Sequence, residues 1–293
     1  MSSCLVCGAE PREAFRRWDH RFVRCPSCGL EAIDPQPDDA TLARIYGEQY
    51  YDAWGVKEDE ELVREMKRAT FLPYLRPLGK PRPGDRLLDC GAAMGYLAEA
   101  ASEKGWDAYA VELSEFGARA CARRLGEDHV FRGEAGESRF VANPAGRFEA
   151  ITMIDFIEHV RRPREVIRWA AGRLAPGGRL LLVTPRSGGM THRVMGRSWP
   201  HYKLEHLWYL RPGNLFRLLE EEGFEDLRLR PAPKALMGAY VATYFRRYRN
   251  PLLTPLSGWS VRLLPRPLTR FPIPLVLGDM LVCGRRRQGE RAT

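Results

Sequence analysis

The apolar positions of the chain fall into short continuous runs, helical stripes and punctuated turns. Arg86 to Cys90 is a brief apolar run; Gly91 and Gly95 follow at a turn, and Tyr96 to Glu103 then takes helical spacing. Tyr109-Ala-Val ends in Glu112, Ser114 is placed to cap a helix reaching about Leu125, and His129 to Arg132 reads as a third strand. Phe148 to Ile154 has the continuous apolar character of a strand covered on both faces. A helix over Arg164–Leu174 is stopped by Ala175-Pro-Gly-Gly before another strand, Arg179 to Thr184. Pro212 to Gly223 is helical, Leu227-Arg-Leu-Arg alternates, and Asp279 to Gly284 is the last strand. Upstream, Asp39 to Tyr51 and Glu58 to Leu78 are helical. The second puts Leu62, Met66, Ala69, Phe71 and Leu75 on its core face, and a Pro- and Gly-rich linker, Pro77 to Asp85, follows.

The turn at Gly91 and Gly95 suits a nucleotide-like ligand. Glycine lets the backbone approach closely, and the next helix leaves its first N–H groups unpaired. Glu112, ending the following strand, can accept both hydroxyls of a ribose. The spacing Asp89-x-Gly91-x-x-x-Gly95 departs from the Gly-x-Gly-x-x-Gly of dinucleotide binders, which argues against a nicotinamide oxidoreductase.

Cys4-x-x-Cys7 and Cys25-x-x-Cys28 stand 17 residues apart, and a glycine follows each pair. That pattern predicts two knuckles closing on one structural Zn²⁺ with all four thiolates as ligands. Seven cysteines, an odd number, argue against a disulfide framework. No apolar stretch of signal-peptide or membrane-spanning length occurs, so a cytoplasmic location is the default expectation.

The glycine turn and its flanking acids resemble the first motifs of class I S-adenosylmethionine (SAM) dependent methyltransferases, in which glycine is commoner where Ala93 stands. The ribbon, linker and tyrosines resemble a zinc-bearing bacterial subgroup. The resemblance implies a doubly wound, mostly parallel α/β sheet of seven strands, order 3-2-1-4-5-7-6. It divides the chain into a zinc ribbon at 1–34, lid and linking helices at 35–84, and the SAM domain at 85–293. It implies that Asp89, Gly91, Ala93, Gly95, Glu112, Glu134 and Asp155 line the SAM pocket, with Tyr46 and Tyr50 lidding it. Asp155-x-x-Glu158-His159-Val is similar to a motif at the methionine end of SAM and the substrate mouth.

The connection from Arg186 to Leu210 is long enough to be functional, and Glu205-His206 within it looks like an element whose histidine acts as base in sugar methyltransferases. His206, with Glu205 beside it, is therefore the expected base for O- or C-methyl transfer to a small-molecule, sugar or lipid-linked acceptor. An RNA methyltransferase is the alternative, given a net charge of +9. It lacks the Asn-Pro-Pro-Tyr type of sequence and the strand-end cysteine that base methylation would need. Between the last two strands, 231–278 contains no acidic residue but carries Lys234, Arg246, Arg247, Arg249, Arg262, Arg266 and Arg270 among aromatic and aliphatic residues. That mixture suits peripheral contact with an anionic inner membrane face, or else a buried cap or dimer surface.

Overall fold

A computed structural model describes residues 3–45, 59–137, 146–247 and 265–288. The chain opens with β1 (Arg12–Arg17), β2 (His20–Arg24), β3 (Glu31–Asp34), α1 (Asp39–Ile45) and α2 (Glu60–Leu75). Strand and helix then alternate through β4 (Arg86–Cys90), α3 (Tyr96–Glu103), β5 (Asp107–Glu112), α4 (Glu115–Leu125), β6 (Val130–Arg132), β7 (Phe148–Ile154), α5 (Pro163–Arg173) and β8 (Leu174–Pro185). The connection beyond β8 holds α6 (Met190–Met195) and β9 (Trp208–Tyr209), before α7 (Pro212–Glu221) and β10 (Phe224–Pro231). Last come β11 (Lys234–Leu236), α8 (Gly238–Arg247), α9 (Arg266–Thr269), β12 (Ile273–Leu275) and β13 (Asp279–Arg286).

Seven strands form one sheet in the order β10-β13-β8-β7-β4-β5-β6, the anticipated 3-2-1-4-5-7-6. Only β13 runs against its neighbours. The continuous apolar runs are buried because helices cover both faces: Leu87, Ala98 and Tyr74 join one apolar cluster, and Leu88, Ile151, Leu180 and Leu215 join another. The Ser114 side chain accepts from Gly117 N at 3.4 Å and so caps α4 as expected. Ala175-Pro-Gly-Gly stops α5 but does not precede β8; it lies inside it. The β7–β8 register shifts between Phe148 and Ala150 to absorb the extra residues, and a Cβ on Gly178 would come within 2.9 Å of Ala175 O.

The ribbon is built into the molecule. β1, β2 and β3 take β9 as a fourth strand, through Glu31↔Tyr209 and Ala32↔Trp208. Cys4, Phe22 and Ile33 share the apolar cluster of Ile151 and Leu180. Among the described residues no helix is long and apolar enough to cross a membrane.

Candidate functional site

At the end of β4, Gly91 and Ala92 donate to Val111 O at 2.9 and 3.1 Å, which folds the turn back against β5. Gly91 (φ +72°) could carry no side chain, because a Cβ would stand 2.5 Å from the Phe156 ring. Gly95 (φ +77°) lies against Cys121 at 3.1 Å by the same measure. Ala93 also has positive φ, 52°, which explains why a glycine suits this position. Glu112 braces the turn: one carboxylate oxygen accepts from Ala93 N and the other from Ser114 N, both at 2.8 Å. Asp89 is buried and accepts from Thr152 Oγ1 at 2.7 Å; burial, then the Glu112 charge, pushes its carboxyl up to about 7 despite that bond. Glu134 is exposed, two residues past β6, at the same edge of the sheet. Tyr46 and Tyr50 lie outside the described residues.

Asp155 follows β7 with φ 49° and meets Lys234 Nζ at 3.0 Å, which reaches Asp279 at 3.2 Å. Burial opposes the Asp155 charge, but the Lys234 ammonium outweighs it and holds the carboxyl below its usual range. Burial, then Lys234, brings Lys67 down to about 8. Sequence reasoning gave neither lysine a place in the site. Lys234 lies 79 residues from Asp155, and no local pattern signals that pairing.

The connection is pinned where His206 must sit. Glu158 O accepts from Leu207 N at 2.8 Å and Val160 O from Trp208 Nε1 at 2.9 Å, while Ile33 N donates to Leu207 O from the ribbon side at 3.2 Å. The ring of His206 thereby reaches His159, centroids 4.6 Å apart, and stacks toward His201 at 6.1 Å. One ligand-type atom from each of Glu158, His159 and His206 falls within 4.8 Å of the others, close enough to share a proton or hold a cation. The expected acid partner was Glu205, and here the placement differs. Its carboxylate pairs with Lys203 at 3.8 Å, and its backbone holds the His159 ring. The acid that shares the space of His206 is Glu158, because the helical-turn backbone after β7 carries it inward.

Glu158 is 1% exposed, and among the described residues neither carboxylate oxygen makes a hydrogen bond of ordinary geometry, although the Thr184 hydroxyl and a backbone N–H lie close enough to favour its charge. Burial, then the Asp155 charge, pushes it up to about 8. Burial lowers His159 to about 4, and burial followed by the His159 charge holds His206 well below its ordinary value, with Nδ1 unpartnered among the described residues. At neutral pH the cluster is uncharged and His206 has a lone pair to offer.

The four cysteines fit a tetrahedral metal. Their sulfurs lie within 4.8 Å of one another, with Cys4–Cys28 at 3.5 Å and Cys7–Cys25 at 3.4 Å; a zinc with about 2.3 Å bonds to sulfur spaces them at about 3.8 Å. The two knuckles repeat one pattern: Gly8 N to Cys4 O and Gly29 N to Cys25 O, at 2.9 and 3.0 Å. Burial raises Cys28 to about 12, whereas backbone N–H groups and Cys7 overcome burial at Cys25 and bring it to about 6.

A family model described as methyltransferase domain matches residues 62–229. The ubiquinone biosynthesis O-methyltransferase of Xanthomonas axonopodis pv. citri is 35% identical over 191 residues, 60% of this chain and 76% of that protein. The protein of the same name from Idiomarina loihiensis is 27% identical over 156 residues, covering 50% of this chain and 64% of its own. For the Caulobacter relative the covered share is 42%, so parts of these curated relatives have no counterpart in the match. Haemonchus contortus phosphoethanolamine N-methyltransferase 2, solved with S-adenosyl-L-methionine, superposes with TM-score 0.54 at 16% identity, over 88% of this chain and 62% of that one.

Proposed function

The chain belongs to the methyltransferase-domain family, and from that premise we propose that it transfers the methyl group of SAM to a hydroxyl of a small-molecule acceptor. The observation that carries this reading is the turn after β4, emptied of side chains at Gly91 and closed by Glu112. Asp89, Gly91, Ala93, Gly95 and Glu112 hold the nucleoside end of SAM, Glu134 flanks the base, and Asp155 with its lysine lies at the methionine end. SAM supplies an electrophilic methyl on a sulfonium, and transfer requires a nucleophile held in line with it. His206 accepts the acceptor's hydroxyl proton, and His159, fixed through the Glu205 backbone, orients that pocket with Glu158. The O-methyltransferase names of the relatives favour a hydroxyl on a small molecule over RNA.

The four thiolates hold a structural Zn²⁺, and residues 35–84 supply the lid. The acceptor is amphipathic, met at a membrane surface through the exposed apolar residues Leu268, Phe271, Ile273, Val276 and Leu277. Two of the seven basic residues of 231–278 are committed elsewhere: Lys234 to Asp155 and Asp279, and Arg270 to Glu65 at 3.0 Å. The apolar side chains therefore carry more of this contact than the charge pattern alone implies.

Calorimetry tests the core of the reading. S-adenosylhomocysteine should bind saturably, and Gly91→Arg should weaken it at least about a hundredfold, since any side chain there must displace Phe156. Binding of NADH without binding of either SAM or S-adenosylhomocysteine would refute it.

A further inference from the structure

On the far side of Trp199 from the His159–His206 cluster lies a cleft of about 450 Å³, formed where the ribbon meets the connection. Trp199 is fully buried, with its ring 4.8 Å from both His192 and His201, so it separates the two regions. The cleft is lined by Arg24, Arg193, Arg197 and Arg211, with Phe15, His192 and Tyr202 forming its wall and floor.

The floor is saturated internally. Gly188 N donates to His192 Nδ1 at 3.0 Å, so the proton of a neutral His192 sits on Nε2, 2.8 Å from Tyr202 Oη; Tyr202 donates in turn to Glu31 at 2.5 Å. Glu31 is 1% exposed and also pairs with Arg24 at 2.9 Å, so the negative charge here is turned inward and neutralised. The other three guanidiniums, Arg193, Arg197 and Arg211, have no carboxylate within 4 Å among the described residues, and the Nε of Arg211 is buried without a partner. Gly29 and Gly188 make room for the Arg211 side chain: a Cβ on Gly29 would collide with the guanidinium, and one on Gly188 would stand 3.3 Å from it. Arg197 stands over the Phe15 ring at 5.8 Å, giving the cleft an apolar side.

We propose that this cleft binds a phosphate ester, its phosphate held by Arg193, Arg197 and Arg211 and its organic body against Phe15. Three guanidiniums, two from α6 and the turn directly after it and one from the start of α7, offer more donors than one planar carboxylate can use, and they suit the several oxygens of a phosphate. The volume exceeds what a bare phosphate fills and falls in the range of small-molecule pockets. The site shares no residue with the glycine turn or the His206 cluster.

Titration of the full-length, zinc-loaded chain with phenyl phosphate, at constant ionic strength in chloride, tests this. Saturable binding is expected, at least tenfold tighter than inorganic phosphate under the same conditions. Arg193→Gln with Arg197→Gln should weaken phenyl phosphate at least tenfold, because removing a charge-assisted hydrogen bond typically costs roughly that factor or more. Both residues are exposed and make no ion pair among the described residues, so the fold, zinc content and S-adenosylhomocysteine affinity should be unchanged. Equal affinity for phenyl and inorganic phosphate would overturn the ester assignment. Absent saturation, or unaltered binding by the double variant, would overturn the site.

Discussion

Glu158 holds opposite consequences for stability and for catalysis. Its folded-state value, about 8, lies above the ordinary 4.5, so the folded protein retains a proton that the unfolded chain has released. The stability this confers is complete below pH 4.5 and is lost as pH rises through 8. In the window between pH 6.5 and 8 the histidines held low, His159, His201 and His206, oppose this fall only at the lower end, by about 0.4 kcal/mol each as their unfolded forms lose protons, and Asp89, at about 7, adds its own loss there. Stability from urea melts should therefore fall across it, with about 2 kcal/mol from Glu158. Glu158→Gln should remove roughly that share; an unchanged slope would show that Glu158 titrates normally. His206→Ala should lower turnover about a hundredfold or more with S-adenosylhomocysteine affinity unchanged, whereas equal losses in both would place the ring in the cofactor pocket or the core. The sequence made the turn residues legible because the chemistry of Gly91, Gly95 and Glu112 depends on local spacing. It led to Glu205 rather than Glu158 as the partner of His206 because adjacency in sequence does not determine where two side chains point. Lys234 was invisible as a site residue for a related reason: its partners come from β7 and β13.

Among the elements, the ribbon has a consequence beyond its own stability. β3 pairs with β9, and the residues just before β9 carry His206. Ile33 N and the Glu158 carbonyl grip Leu207 from opposite sides, so the ribbon is one jaw of the clamp that sets the His206 ring. A stack of aromatic rings extends the coupling: Phe15 to Phe22 at 4.5 Å, Phe22 to Tyr202 at 5.3 Å and Tyr202 to Tyr209 at 4.9 Å. Metal analysis should find one zinc per chain. Cys25→Ser should release it and lower turnover more than S-adenosylhomocysteine affinity, since the backbone hydrogen bonds that fold the glycine turn join β4 to β5. A metal-free chain that folds and turns over normally under reducing conditions would remove the idea. The major strands were legible from their continuous apolar runs, and their order followed from the family resemblance. β9 was not: two residues, Trp208 and Tyr209, show no period, and only the pairing with β3 makes them a strand.

At the scale of the whole molecule the apolar surface is uneven. Leu268, Phe271 and Val276 are each at least 60% exposed, and on α6 Met190 and Val194 exceed 80%. The two groups adjoin, since a Cβ on Gly278, directly after Leu277, would run into the Thr191 side chain. Apolar side chains gathered this way beside basic residues fit the headgroup boundary of an anionic bilayer. Lys234 and Arg270 are paired internally, and the side chains of Arg246, Arg247, Arg249, Arg262 and Arg266 lie outside the described residues; each basic side chain that reaches a lipid surface contributes about 1 kcal/mol. Insertion of Phe271 and Val276 would add a contribution far less sensitive to salt than that of the arginines. Flotation with anionic vesicles should show binding that weakens with salt without vanishing, and Phe271→Glu with Val276→Glu should abolish the salt-resistant part while S-adenosylhomocysteine binding persists. A chain that stays with the soluble fraction at low salt would rule the membrane out as the place where the proposed acceptor is met, leaving the same residues as a cap or a contact between copies.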